Sequence, residues 1–237
     1  MEFSIEEQKI IELYNQINLG HCEICLECKR NNSKLYDRAV GMWFVGKYYA
    51  NQEKRLLFVG KNARGVPAIK YEENVNDKGY LNEFRYAREN LWNKSWAYWN
   101  YSRIISEQLY GEAGYENVAF TNIIKCNGSD TIDTTNDNMK DYCVKKLNVL
   151  RKEIQIIKPT HIVFYTSYYY DQWIPFVFDE LRAEVSTSVT IGKKQMPWAE
   201  YNGKIDSQEI HVLRVGHPER MKKADFVTSI CDWVKRN

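Results

Sequence analysis

Apolar and polar positions follow a helical period in some stretches of the chain and form short apolar runs in others. The clearest helical pattern covers residues 4–18, where Ser4 offers an N-cap and Gly20 ends the helix. Further helical patterns cover residues 81–92, 96–110, 137–157, 168–182 and 221–235. We predict a helix for each of them, with an interruption near Pro175.

Short apolar runs bounded by glycine, proline or charged residues predict buried strands. These runs are residues 56–60, 116–122, 160–165, 185–191 and 209–215. Asn202-Gly203 has the composition of a tight turn between the last two strands. Because strands alternate with helices, we predict an α/β protein with three α/β/α layers and a central, mostly parallel four-stranded sheet. Residues 1–237 show no repeat or linker, which predicts a single domain.

Composition restricts the classes of function. Of the 237 residues, 44% are hydrophobic and 27% are charged, which is ordinary for a globular protein. With a net charge of only +2, any nucleic-acid site would have to be a local basic patch. The chain has no apolar run long enough to span a membrane and no secretory signal. We therefore expect a cytoplasmic protein without membrane contact, and we expect a monomer.

Three predicted strands end in distinctive polar residues. Gly60 is followed by Lys61-Asn62, the central strand ends in Thr121-Asn122, and the last strand leads into Gly216-His217-Pro218. In a parallel sheet these ends share one edge, where ligands of open α/β sheets bind. The loop after Gly60 is neither G-x-G-x-x-G nor a P-loop, which argues against nucleotide binding. Each polar side chain also has a plainer interpretation, as a turn residue that satisfies nearby backbone groups.

The cysteines indicate a metal or catalytic site more than a disulfide framework. Six cysteines without a secretory signal are typical of a reducing compartment. Cys22, Cys25 and Cys28 form two overlapping C-x-x-C pairs, a spacing that can direct two thiolates at one metal centre. Cys126 and Cys143 would complete a set of four. Cysteine chemistry alone allows zinc, an iron–sulfur cluster or unligated thiols. It favours a redox dithiol less, because the motif neither follows a strand nor opens a clear helix.

In order and spacing, these motifs resemble the uracil-DNA glycosylase superfamily, and most closely its iron–sulfur branch, family 4. That branch carries an early C-x-x-C, a strand ending in G-E-x-P-G, a T-N-x-x-K-C segment, a further cysteine and a final H-P-S. The matching positions here are Cys22 to Cys25, Leu57 to Gly60, Thr121 to Cys126, Cys143, and His217-Pro218. The similarity spans residues 20 to 220, and T-N-x-x-K-C is its most specific part.

The resemblance implies a four-iron, four-sulfur cluster that clamps the N-terminal helix and cysteine loop, residues 1–33, to the core. The implied ligands are Cys22, Cys25, Cys126 and Cys143. Cys28 is a possible replacement for Cys22, and His21 is a weaker substitute. Zinc is the less favoured metal.

The resemblance also implies catalytic roles for Asn62 and His217. His217 would hydrogen-bond a carbonyl oxygen of the leaving base, and Asn62 would hold the attacking water. Asn122, Tyr80 and Phe84 are the candidates for binding the flipped base, through hydrogen bonds or stacking.

The chain departs from the family pattern in the loop after the first strand. The acid and proline of G-E-x-P-G are absent from residues 60–65, and Glu219 replaces the serine after His-Pro. An irregular, aromatic stretch follows at residues 66–100. A compact uracil pocket would not require these changes, so they favour a bulkier modified pyrimidine as the substrate.

Basic residues around the His217 turn are candidates for DNA contacts. They are Arg214, Arg220, Lys222 and Lys223 for phosphates, with Arg220 or Met221 as a wedge in the gap left by the flipped base. The alternative is a solvated helix face, which basic clusters usually form.

Together these features predict a monofunctional DNA glycosylase that excises a damaged or modified base, in repair or in defence against viruses with modified DNA. The alternative is a non-catalytic, metal-containing nucleic-acid-binding protein of the same fold, which the missing acidic residue would suit. An unrelated α/β enzyme with a zinc site would require the order of the motifs to be a coincidence.

Overall fold

A computed structural model describes residues 3–32, 39–62, 84–112, 114–126, 135–219 and 221–237. Within these ranges the α-helices are α1 Ile5–Gln16, α2 Glu23–Asn31, α3 Ala97–Tyr110, α4 Asp137–Lys140, α5 Val149–Ile157 and α6 Lys223–Arg236. The strands are β1 Phe44–Val45, β2 Leu56–Gly60, β3 Ala119–Asn122, β4 His161–Phe164, β5 Glu180–Ile191, β6 Lys194–Ile205 and β7 Gln208–Val215. No described helix is long and apolar enough to cross a membrane.

The first helix forms where the pattern predicts it. The Ser4 side chain accepts a hydrogen bond from the backbone N–H of Glu7, and the Glu7 carboxylate accepts one from the backbone N–H of Ser4. This reciprocal capping satisfies two donors that the first helical turn otherwise leaves unpaired. The apolar positions Ile10 and Tyr14 then face the core.

One sheet contains all the described strands, in the order β1-β3-β2-β4-β7-β6-β5. The four central strands β3, β2, β4 and β7 are mutually parallel, whereas β1, β6 and β5 join antiparallel at the two sides. The mixed α/β class is confirmed. The predicted four-stranded sheet corresponds only to the four central strands, because β1, β5 and β6 extend the described sheet to seven strands.

The sheet lies between two layers of helices. Neighbouring residues of a strand point to opposite faces, and β3 shows both sides. The Phe120 ring packs 4.5 Å from the Trp99 ring of α3, while the Thr121 hydroxyl donates to the Glu153 carboxylate of α5 at 2.9 Å. Helix α6 packs beside α3 on one face, and α1 packs beside α5 on the other.

A buried polar network joins the second of these layers to the end of β3. The Lys125 ammonium lies 2.7 Å from one Glu153 carboxylate oxygen, and both groups are buried. The Tyr14 hydroxyl donates to Glu153 and accepts from the backbone N–H of Met42. The network therefore ties α1 and α5 to the segment that carries Asn122 and Cys126.

Two predicted helices take other forms. The pattern over 137–157 is divided into α4, a π-helical turn at Asp141–Leu147, and α5, because Asn148 adopts a left-handed conformation with φ of 48°. The pattern over 168–182 gives two 3-10 turns, Ser167–Tyr170 and Ile174–Val177, followed by the start of β5.

The predicted turn at Asn202-Gly203 was wrong. Both residues lie inside β6, and the hairpin between β5 and β6 turns at Gly192, which has a φ of 62°. Gly203 is needed for packing, because a Cβ there would lie 2.7 Å from the Phe178 ring. The glycine therefore marks a close approach of two elements within a strand.

Candidate functional site

The carboxyl ends of the parallel strands form one polar edge. Gly60 of β2 pairs in register with Asn122 of β3, so the two predicted strand ends are direct neighbours. Beyond them the chains continue side by side, since Ile124 donates its backbone N–H to the carbonyl of Lys61 at 2.9 Å. The same edge receives the ends of β4 and β7, and His217 follows β7.

Tyr98, from the first turn of α3, connects three of these strand ends. Its hydroxyl donates to the Asn122 Oδ1 atom at 3.3 Å, and its ring lies parallel to the His217 ring with centroids 5.9 Å apart. A Cβ at Gly60 would lie 1.7 Å from the Tyr98 hydroxyl oxygen. The predicted residues Asn122 and His217 are therefore brought together. Within the aromatic stretch at residues 66–100 the sequence did not single out Tyr98, and only its position at the start of a helix could have indicated this role.

Three buried polar atoms at this edge have no hydrogen-bond partner among the described residues. They are Asn62 Nδ2, Asn122 Nδ2 and Thr166 Oγ1, which follow or end strands β2, β3 and β4. Asn122 is 2% exposed and Asn62 is 9% exposed. An unpaired buried donor costs about 1–3 kcal/mol, so we expect these atoms to find a partner outside the described residues, such as a water, an ion or a polar ligand.

A hydrogen bond to the His217 ring determines which of its two nitrogens can donate to a ligand. Its Nδ1 atom accepts the backbone N–H of Glu219 at 3.2 Å. The neutral ring therefore carries its proton on Nε2, which is the hydrogen-bond donor. The ring is about one-third exposed, so a ligand can reach it from solvent.

Neither a protein-family model nor a curated protein matches this chain.

Several predicted base-binding and DNA-binding residues lie elsewhere or outside the described ranges. Phe84 is fully buried, with its ring 6.3 Å from Phe3, so it does not offer a stacking face to a ligand. Tyr80 and Arg220 lie outside the described residues.

Arg214 does not fit the predicted role of a phosphate contact. It is 5% exposed, and its guanidinium donates to the Asp171 carboxylate at 2.8 Å. The alternation of side chains along β7 turns this arginine towards the segment after β4, where it forms an internal ion pair.

The remaining basic candidates surround the His217 turn. Lys222 and Lys223 are exposed at the start of α6, and Lys222 lies 3.1 Å from the Asp225 carboxylate. Met221 is partly buried, and its carbonyl accepts the Tyr101 hydroxyl at 2.9 Å. Both lysines keep an accessible position for phosphate contacts.

Five of the six free thiols are neighbours. The Cys28 and Cys126 sulfurs are 3.9 Å apart, and those of Cys126 and Cys143 are 3.3 Å apart. Cys22 and Cys25 share a hydrogen bond, and Cys25 also interacts electrostatically with Cys143. The hydrogen bond from Cys126 lowers the pKa of Cys143 to about 7, whereas burial raises that of Cys25 to about 12.

Helix α2 explains how the N-terminal thiols reach β3. Cys22 is its N-cap, so the C-x-x-C motif does open a helix, contrary to the sequence interpretation. Cys25 and Cys28 are three residues apart and both are buried against the core. His21 is exposed in the preceding turn.

Thiols are a suitable type of ligand for a metal centre, but the arrangement of these five thiols fits such a centre less well. Among the described residues, no group of three or more histidine, cysteine or acidic side chains is placed to hold a metal ion. A tetrahedral zinc ion, with Zn–S bonds of about 2.3 Å, would set its sulfurs about 3.8 Å apart. The Cys28–Cys126 separation matches this spacing, while Cys126 and Cys143 are closer and would have to move apart for any metal centre.

Proposed function

We propose that this protein is a DNA glycosylase that excises a modified base and leaves an abasic site. The observation that carries the proposal is the pair of unpaired donors, Asn62 Nδ2 and Asn122 Nδ2, at the carboxyl edge of the sheet, where Tyr98 contacts both Asn122 and His217. A flipped pyrimidine carries carbonyl and ring-nitrogen acceptors that would satisfy such donors.

The mechanism follows from where charge develops. When an N-glycosidic bond breaks by a dissociative route, the departing base becomes negative and the sugar becomes positive. The His217 Nε2–H would donate to a carbonyl oxygen of the leaving base, where a preorganised donor stabilises the transition state more than the ground state. The Asn62 amide cannot accept a proton as a general base, so its role would be to hold a water against the cationic sugar.

Tyr98 favours a cytosine-type base over uracil. Because its hydroxyl engages Asn122 Oδ1, the Asn122 amide turns its NH₂ group towards the ligand. Uracil carries a donor, N3–H, at the position where cytosine carries an acceptor, N3. A donor at Asn122 that faces N3 would complement cytosine and not uracil, and on this placement we propose a modified cytosine as the substrate and a role in defence against viruses with such DNA.

The thiol cluster would hold a four-iron, four-sulfur centre through Cys25, Cys126, Cys143 and either Cys22 or Cys28. When bound, the centre would supply thiolate bonds that fix α2 to the end of β3. At 3.9 Å the Cys28 and Cys126 sulfurs have the spacing of two ligands on a single zinc ion, which makes Cys28 a stronger candidate ligand for zinc than the sequence predicted. Zinc is the alternative metal.

The test is abasic-site formation, detected with an aldehyde-reactive probe on DNA that contains uracil, ordinary cytosine or hypermodified cytosine. We expect signal on the modified cytosine, lost in Asn62→Ala and lowered about 10²–10³-fold in His217→Ala. Asn93→Ala, which changes an exposed asparagine, is the matched control and should keep full activity. Tyr98→Phe should lower the ratio of activity on modified cytosine to activity on uracil by up to about tenfold. That factor corresponds to the free energy of one hydrogen bond.

A non-catalytic DNA-binding protein is the second candidate, favoured by the missing acid of the G-E-x-P-G pattern, where Lys61 follows Gly60. DNA binding by the wild-type protein without abasic sites on any substrate would support it and would contradict the glycosylase.

A further inference from the structure

The outermost strand, β5, leaves a long backbone edge exposed. It has twelve residues, Glu180–Ile191, and within the described part of the chain it pairs with β6 alone. Its side chains are exposed on both faces from residue 182 to residue 188, and Val185 is 40% exposed. An open strand edge presents unpaired N–H and C=O groups that can bind another strand.

The second half of this strand lacks the usual protection against pairing, whereas its first half carries the charged residues Glu180, Arg182 and Glu184. Residues 185–191, Val-Ser-Thr-Ser-Val-Thr-Ile, contain no charge, proline or glycine. Charges and proline are the features by which natural edge strands avoid association. The β-bulge of this strand falls between Ala183 and Val185, so it leaves the seven-residue segment regular. We call residues 185–191 the edge segment.

We propose that the edge segment pairs antiparallel with the edge segment of a second copy of this chain, which joins the two sheets across a two-fold axis. This interface is independent of the proposed enzymatic function. It would make the protein a dimer, whereas the sequence led us to expect a monomer.

The edge segment is complementary to itself when the axis passes through its central residue. An antiparallel pair related by a two-fold axis places one residue opposite its own copy, and the middle of the segment is Ser188. Thr187 then faces Val189 of the other copy, and Ser186 faces Thr190, while Val185 comes opposite Ile191, which is buried in its own chain. Cross-strand pairs of β-branched residues are favourable in sheets.

Charge outside the edge segment agrees with the same register. Glu184 comes opposite Gly192 of the second copy, next to Lys193 at the tip of its hairpin. Lys193 is exposed and itself comes opposite Ala183, so an acidic and a basic side chain lie one position apart at each end of the pair. An opposite-charge partner at both ends favours a second copy over an unrelated strand.

The first experiment measures mass in solution by light scattering across a range of protein concentrations. Wild-type protein should approach twice the chain mass of 28.1 kDa as concentration rises. Ser188→Lys should stay monomeric, because two lysines would face each other directly across the axis. The substitution lies on an exposed edge, so circular dichroism should show an unchanged fold. A wild-type protein that remains monomeric throughout overturns the proposal.

The second experiment tests the register. Opposed Cβ atoms in an antiparallel pair lie about 4.5–5.5 Å apart, close enough for a disulfide after small adjustment. Ser188→Cys should form a disulfide-linked dimer under mild oxidation. The matched control Ser207→Cys, in the exposed turn after β6, and the wild-type protein with its own thiols should not. A dimer that survives Ser188→Lys and is not cross-linked through Ser188→Cys would contradict pairing through β5.

Discussion

At the scale of single residues, unpaired polar atoms occur at both ends of the sheet and have different consequences. Those at the carboxyl edge surround the candidate site, whereas His161 stands at the opposite end, where β4 begins. Its Nδ1 atom shares a hydrogen bond with the Thr160 hydroxyl at 2.9 Å, and its Nε2 atom is buried without a partner in the described chain. Burial, with added repulsion from His211 and Lys54, lowers the pKa of His161 to about 3.

This histidine predicts a loss of stability in mild acid. The unfolded chain binds a proton at His161 below its ordinary pKa of about 6.5, while the folded chain does so only near 3. Between these values the unfolded state holds more protons, so the free energy of unfolding falls by up to about 1.4 kcal/mol per pH unit as pH decreases. Urea unfolding at pH 6.5, 5.5 and 4.5 should show a shallower decline for His161→Gln than for wild type. His21→Gln, at an exposed position, should follow wild type; identical slopes for all three would contradict the prediction.

At the scale of elements, local signals predicted structure better than long-range ones. Helix α1 could be predicted because Ser4 and Glu7 are three residues apart and cap it themselves. Strand β6 could not, because Asn202-Gly203 looks like a turn in sequence and is explained only by Phe178 packing above Gly203.

The candidate site shows the same difference between local and long-range signals. Asn62, Asn122 and His217 were identified from strand ends, because parallel strands deliver their ends to one edge. Tyr98 comes from a helix that is distant in sequence, and Phe84 and Arg214 were misassigned because burial depends on neighbours that the sequence does not specify.

The connection between β3 and α5 predicts a double-mutant effect. In Lys125→Met the Glu153 carboxylate keeps its hydrogen bonds from Tyr14 and Thr121 but loses its buried counter-charge. Removing one partner of a buried ion pair costs about 3–5 kcal/mol. Adding Glu153→Gln should recover part of that loss, which denaturant unfolding of the two single variants and the double variant would measure. Additive losses would mean that the two groups are not coupled.

At the scale of the whole molecule, the thiol neighbourhood joins the N-terminal helices to the central sheet. Cys22, Cys25 and Cys28 belong to α2 or its cap, Cys126 follows β3, and Cys143 lies in the π-helical turn before α5. A metal centre bound there would connect three segments that are far apart in sequence. Loss of the metal centre would therefore weaken the attachment of the N-terminal region more than it would destabilise any single strand.

Metal content and thermal stability should therefore change together. We expect Cys126→Ala to lose bound iron, or zinc if zinc is the metal, and to melt at a lower temperature than wild type. Cys231→Ala is the matched control, because this sixth thiol is buried at α6, where its sulfur faces the carbonyl of Ile105. Elemental analysis and calorimetry measure both quantities. Equal metal content in the two variants would exclude Cys126 as a ligand.

The close approach of Gly60 and Tyr98 limits how this protein can diverge. Any side chain at position 60 would overlap the tyrosine hydroxyl and the Asn122 amide, so the first mutation away from glycine disrupts the site before a second can compensate. A change of specificity that begins with a substitution at position 98 causes no such overlap, because a smaller residue there leaves Gly60 undisturbed. We therefore expect the pocket to evolve first by substitution at position 98 in α3, and only afterwards by substitution at position 60 in β2.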